Sequence, residues 1–185
     1  MKKSIFIFSV IATLFSLTVN AQASASTDKS ATATLNVNLY PVQSIVVNSL
    51  QKKVDLDYNT TTAYKYGVAS LQEDHLEVYS VGGFAVSVAS SDNLTNGDDN
   101  IPSSDIKITP SEGTIKPLAG AKLSFTGVEL STTAQKIISS DLGANNATFN
   151  IEYGAKGNNE YFARYKKSDS PTVYTTTVTY TIAAQ

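Results

Sequence analysis

From residue 31 to residue 39 the chain reads Ala-Thr-Ala-Thr-Leu-Asn-Val-Asn-Leu, apolar and polar in unbroken alternation. Successive side chains of an extended chain point to opposite faces, so this spacing predicts a half-buried β-strand with Ala31, Ala33, Leu35, Val37 and Leu39 on one face. Strand signals then recur along the chain. After Tyr40-Pro41, where proline interrupts a ladder, residues 42–47 are apolar enough for a strand buried on both faces near its end, and residues 53–58 alternate again. The polar run 59–62 reads as a loop. Residues 75–79 and 83–89 predict two strands joined at Val81-Gly82-Gly83, where paired glycines permit the positive φ of a tight turn. Apart from Leu94, residues 90–100 carry only turn chemistry. A short strand over 106–108 is expected to close at Pro110 and Gly113, and another is expected around Leu123, Phe125 and Val128.

Two later segments complete the set. Residues 147–153 repeat the apolar, polar, apolar, acidic, tyrosine order of residues 54–58, which predicts equivalent strands. Residues 172–182 are rich in β-branched and aromatic side chains and place Tyr174, Thr176, Val178, Tyr180 and Ile182 on one face. No stretch sustains an apolar stripe at helical spacing, although 131–142 has room for a turn of helix. About seven to nine short strands separated by turn residues predict an all-β fold, a single antiparallel immunoglobulin-like β-sandwich with Greek-key connections.

The N-terminus changes where that fold is expected to reside. Lys2 and Lys3 precede an apolar run from Ile5 to Val19, and Val19-Asn20-Ala21 places small residues where signal peptidase cuts. The run is about fifteen residues, short of the roughly 20 that a membrane-spanning helix needs. The expected organisation is a cleaved signal peptide over 1–21, a flexible segment over 22–30 and the sandwich over 31–185. An exported protein in the periplasm, at the cell surface or outside the cell follows, with no membrane insertion after cleavage. The chain has no cysteine, so neither a lipidated start nor a disulfide is available and stability must come from burial.

Charge and chemistry narrow the function further. Lys2 and Lys3 leave with the leader, taking the formal charge from −2 to about −4. The remaining lysines are scattered, which argues against a nucleic-acid partner. His75 is the only imidazole, so a histidine-rich metal site is excluded, and with Glu73 and Asp74 beside it the residue reads as a surface histidine flanked by acids. No Gly-x-Ser-x-Gly elbow and no glycine-rich phosphate loop occur. We therefore assign no catalytic, cofactor or metal-ligating residue and expect a non-enzymatic protein. The oxygen-rich loop at Asp92, Asn96, Asp98, Asp99 and Asn100 lacks the spacing of an EF-hand, since Leu94 and Ser103 occupy required ligand positions; it reads as a hydrated turn cluster.

Ten tyrosines and no tryptophan are an uneven aromatic supply. Tyr161-Phe162-Ala163-Arg164-Tyr165-Lys166-Lys167 gathers rings and cations, making Tyr161, Phe162, Arg164 and Tyr165 the candidate contacts for a glycan, cell-wall polysaccharide included. The competing reading is an edge guarded by basic side chains.

The leader, then Ala-Thr-Ala-Thr-Leu-Asn-Val-Asn-Leu-Tyr-Pro-Val-Gln-Ser-Ile-Val-Val, then Gly-Gly-Phe-Ala-Val-Ser-Val and a terminal Tyr-Thr-Thr-Thr-Val-Thr-Tyr-Thr-Ile, resembles small secreted cysteine-free β-sandwich surface proteins of Gram-negative bacteria. More distantly it is similar to chaperone-usher pilin subunits. The pilin resemblance implies an immunoglobulin fold completed by the N-terminal extension of the next subunit, by β-strand addition. Carried over by position, it puts Ala31, Ala33, Leu35, Val37 and Leu39 on the inserting face. The partners it implies are other copies of the chain or other surface proteins. Continuation through Pro41 into 42–47, together with a good terminal strand at 172–182, tilts the reading slightly towards an internal first strand, with the donated strand next. The expected function is a pilin-like or adhesive surface subunit, with a glycan-binding module as the alternative. The exported protein is expected to begin at Gln22, as intact-mass measurement would show; retention of Met1 would remove the leader assignment.

Overall fold

A computed structural model describes residues 29–185. The expected leader and most of the segment after it lie outside the described residues. The chain divides into two units, Met1–Val37 and Asn38–Gln185. In the first, residues 29–37 form no helix or strand and are exposed.

The second unit is antiparallel and all-β apart from short helical turns. Its strands are β1 (Gln43–Val47), β2 (Val68–Ser80), β3 (Phe84–Ser90), β4 (Leu94–Asn96), β5 (Asp99–Ile101), β6 (Ile106–Glu112), β7 (Leu123–Phe125), β8 (Val128–Glu129), β9 (Gln135–Ser140), β10 (Ala144–Ala155) and β11 (Val178–Ala184). One sheet has the order β1-β2-β10-β6-β8, a second the order β11-β3-β9-β7, and β4 and β5 form a separate hairpin. Leu76 and Val78 from β2, Val86 and Val88 from β3, Ile108 from β6 and Ile138 from β9 are fully buried in one shared core. Phe149 of β10 meets Phe84 and Phe125 edge-on, each at 6.2 Å between ring centres, which joins the two sheets through a large apolar contact.

The alternation of β3 shows why sequence and sheet agree there. Phe84, Val86, Val88 and Ser90 are buried while Ala85, Ser87 and Ala89 are only half-buried, as expected for a strand with one face on the core. Elsewhere the structure departs from the sequence expectation. Residues 31–39 belong to no strand, so the expected first strand does not form within the chain. Residues 53–58 are also outside any strand, although Val54 and Leu56 still pack against the core. Within the run whose one residue outside turn chemistry is Leu94, that residue pairs with Ile101 to open the β4–β5 hairpin. Where a helical turn had room to form, β9 runs instead, between β3 and β7. The terminal strand is displaced: β11 begins at Val178, and the preceding residues are held by the isolated Thr95–Thr175 bridge.

Two local reasons are instructive. Pro110 lies inside β6 instead of closing it, opposite Ile151 of β10. Gly113 donates to the Thr148 carbonyl at 3.0 Å, which fixes the alternation and turns the nitrogen of residue 110 away from β10. On that far side β8 pairs only with Lys107 and Ile108, so the missing N–H breaks no ladder bond. The Val81-Gly82-Gly83 connection, in turn, carries the chain from one sheet to the other instead of closing a hairpin, and neither glycine has positive φ.

One short helix, α1 (Thr61–Tyr66), interrupts the polar run expected to be a loop. Thr60 Oγ1 accepts from Ala63 N at 3.1 Å as an N-cap, and Gly67 ends the helix at φ +86°. A Cβ there would lie 2.4 Å from the Ala155 carbonyl oxygen, so both conformation and space require glycine. From the core geometry, Phe149→Ala is expected to cost about 3–5 kcal/mol in urea unfolding, while Leu50→Ala, at a side chain 93% exposed, stays within about 0.5 kcal/mol.

Candidate functional site

The residues singled out from the sequence fall into two separate regions. Leu35, Val37 and Leu39 are 88%, 76% and 82% exposed, and Ala31 and Ala33 are exposed as well. These apolar side chains keep their strand spacing but lie in no strand among the described residues.

The aromatic and cationic group at 161–167 is divided by the fold. Tyr161 is buried and packs edge-on against Tyr58 at 5.0 Å, so its ring offers no face to a ligand. Its hydroxyl has no hydrogen-bond partner among the described residues, and burial with the nearby Asp105 carboxylate pushes its pKa above the usual phenol range. Arg164 forms an ion pair with Asp99, and Tyr174 donates to Asp99 Oδ2 at 2.6 Å. That hydroxyl, foremost, holds the Asp99 carboxyl below its ordinary pKa. Lys166 donates to Asn96 Oδ1 at 2.7 Å. These cations therefore fasten the β4–β5 hairpin to the 161–174 segment. Phe162 and Tyr165 remain exposed. Among the described residues no three His, Cys, Asp or Glu side chains are grouped to hold a metal ion.

A third region was not anticipated. A cavity of about 510 Å³ is bordered by Val47, Val54, Leu56, Ile106, Leu130 and Val178, with His75, Tyr153 and Tyr180 also lining it. His75 is 2% exposed, which corrects its reading as a surface residue. The cause is a bulge in β2. The register against β10 slips between Phe149–Leu76 and Ile151–Gln72, and Asp74 there adopts φ +49°. Asp74 N donates to Asn150 Oδ1 at 2.7 Å, and its carboxylate accepts from Thr114 N at 2.8 Å, Thr114 Oγ1 at 2.6 Å and Ile115 N at 3.1 Å. Burial alone would raise the Asp74 pKa, but these donors prevail and bring it down to about 2. The bulge leaves His75 and Leu76, neighbours in sequence, both buried.

His75 then makes two polar contacts. Its Nδ1 lies 3.0 Å from Gln51 Oε1 and its Nε2 3.0 Å from the Tyr153 hydroxyl, which is 2.6 Å from the Tyr180 hydroxyl. Gln51 is positioned by a single 3-10 turn, Ser49–Gln51, capped by Asn48 Oδ1 accepting from Leu50 N at 3.1 Å. Burial lowers the His75 pKa to about 4, and it pushes Tyr153 up to about 12 and Tyr180 higher still. The sequence did carry one signal for this group: Tyr153 and Tyr180 share the apolar faces of Phe149-Ile151-Tyr153 and Val178-Tyr180-Ile182. A tyrosine in such a place needs a partner for its hydroxyl.

These features define an antiparallel all-β, sandwich-like protein with an unpaired apolar N-terminal segment and a cavity with a polar floor. No protein-family model matches the chain, and no curated protein matches it either.

A neutral buried imidazole has a measurable consequence. The unfolded chain takes up a proton near the ordinary histidine pKa of 6.5, whereas the folded chain does so only near 4. Stability from this group is therefore complete above pH 6.5 and declines as pH falls from 6.5 towards 4, by up to about 1.4 kcal/mol per pH unit. As the only histidine in the chain, it gives one imidazole resonance, expected to titrate near pH 4 by NMR; a midpoint near 6.5 would show an exposed ring.

Proposed function

We propose that the protein is a non-enzymatic, exported envelope or surface subunit that joins other copies of itself through β-strand addition by residues 31–39. The observation that carries this reading is the unpaired state of an uninterrupted strand pattern: five apolar positions at period two, all exposed, in a chain whose second unit is otherwise well paired. We further read the non-sequential strand orders of the two sheets as an immunoglobulin-like Greek key, the architecture on which strand addition is used in pilins.

An added strand needs a free ladder. β1, β8, β11 and β7 are the edge strands, and β11, at seven residues, is the longest of them. Ser91 N donates to the Thr177 carbonyl and Gln185 N to the Gly83 carbonyl, so odd-numbered residues of β11 bond to β3. The backbone groups of Val178, Tyr180, Ile182 and Ala184 then point to the outer edge. β1 packs beside that edge with no ladder between the two, so pairing in trans at β11 requires β1 to yield. Glycan recognition is less well supported, because Tyr161 is buried and Arg164 is engaged with Asp99.

Mature protein beginning at Gln22 is expected to form oligomers in light scattering, with amides 31–39 protected from hydrogen exchange. Leu35→Asp with Val37→Asp should return it to a monomer while leaving the unfolding midpoint unchanged. A monomer whose 31–39 amides exchange freely at all concentrations would rule the reading out.

A further inference from the structure

The direction of every hydrogen bond at the floor of the 510 Å³ cavity follows from one anchored end. Gln51 Nε2 donates to the Glu73 carbonyl at 2.9 Å, which orients Oε1 as the atom 3.0 Å from His75 Nδ1. A carbonyl oxygen only accepts, so Nδ1 carries the proton. The neutral imidazole is left with a bare Nε2, which must accept from the Tyr153 hydroxyl 3.0 Å away. Tyr153 has then used its only proton. The 2.6 Å contact between the two phenols is therefore donated by Tyr180. The relay runs from Tyr180 to Tyr153 to His75 to Gln51 and ends on a backbone carbonyl. At its open end the Tyr180 oxygen has lone pairs and no proton left to give.

The rest of the lining sets the remaining requirements. Val47, Val54, Leu56, Ile106, Leu130 and Val178 supply an apolar wall, while residues 174–177, a tyrosine and three threonines, add hydroxyl-bearing lining. Among the described residues no carboxylate borders the cavity to neutralise a cation, and Lys52, the charged residue among those that line it, is exposed. The open end of the relay, the Tyr180 hydroxyl, has no proton to offer an anion. We propose that the cavity binds a neutral amphipathic small molecule, with its apolar body against the apolar wall and a hydroxyl donating to the Tyr180 oxygen. This proposal does not rest on the strand-addition reading, and a pocket that joins apolar lining to a few placed polar groups is the ordinary form of a small-molecule site.

Octan-1-ol, 1-methoxyoctane and octanoate serve as probes on the mature protein, titrated by NMR and followed at the His75 and tyrosine ring resonances. Octan-1-ol is expected to bind saturably and to shift the His75 and Tyr180 signals. Its methyl ether, which lacks the donor, should bind at least about tenfold more weakly, the equivalent of roughly one hydrogen bond. Tyr180→Phe should bring the alcohol down to the level of the ether. Leu56→Trp, which fills the groove and keeps Tyr180, should abolish binding of both, and it carries the test if Tyr180→Phe does not fold. Equal affinity for alcohol and ether, tightest binding of octanoate, absence of saturable binding, or displacement of the alcohol by a peptide of residues 31–39 would each overturn the proposal.

Discussion

The antiparallel ladder between β2 and β10 is the constraint on which the remainder of the structure depends. These are the two longest strands, of 13 and 12 residues, and they sit side by side within the larger sheet. Leu76 and Val78 on one and Phe149 and Ile151 on the other are fully buried, so this pair supplies much of the surface against which the second sheet packs. Its one irregularity is as consequential as its regular part. Asp74 holds the bulge through four hydrogen bonds to other elements, and the bulge puts His75 into the interior. Without it, the same strand would present an imidazole to solvent and the Tyr153 and Tyr180 hydroxyls at the cavity floor would lose their link to His75.

A protein without disulfides must secure its peripheral segments by other means. Here the β4–β5 hairpin is fastened by Asp99 to Arg164 and Tyr174, and by Asn96 to Lys166. A second fastening joins the Lys156 ammonium to the buried Asp105 at 2.7 Å. Tyr58 donates to the Lys156 carbonyl at 2.6 Å and meets the ring of Tyr161. The residues that looked most like a ligand platform are thus largely spent on holding loops in place. The partly exposed Asp99–Arg164 pair contributes modestly to stability, and its effect is mainly to fix where the segments lie.

Strand positions with one buried face were the most legible part of the chain. β3 follows from alternation alone, because the period of two is imposed by the backbone itself, whereas residues 147–151 of β10 are buried on both faces although their sequence alternates. Residues 53–58 show the limit of that argument: their alternation records which side chains face inward, and a chain can turn alternate residues inward without a ladder. Pro110 shows the reverse case, a residue that breaks strands in general but is harmless where its nitrogen faces an unpaired edge. The cavity was legible only in fragments. Tyrosines on apolar faces hinted at buried hydroxyls, but nothing near His75 in sequence announced Gln51 as its partner.

What the sequence determined by itself was the type of structure and the absence of cysteine-based chemistry, because both depend on local periodicity and residue inventory. Tertiary structure alone decided three matters: that residues 31–39 stay out of every strand, that Tyr161 turns inward, and that His75 joins Tyr153 and Tyr180. Each depends on which edges are already occupied and where a ladder slips by a residue or two. Those are properties of contacts between distant segments, and local patterning carries no record of them.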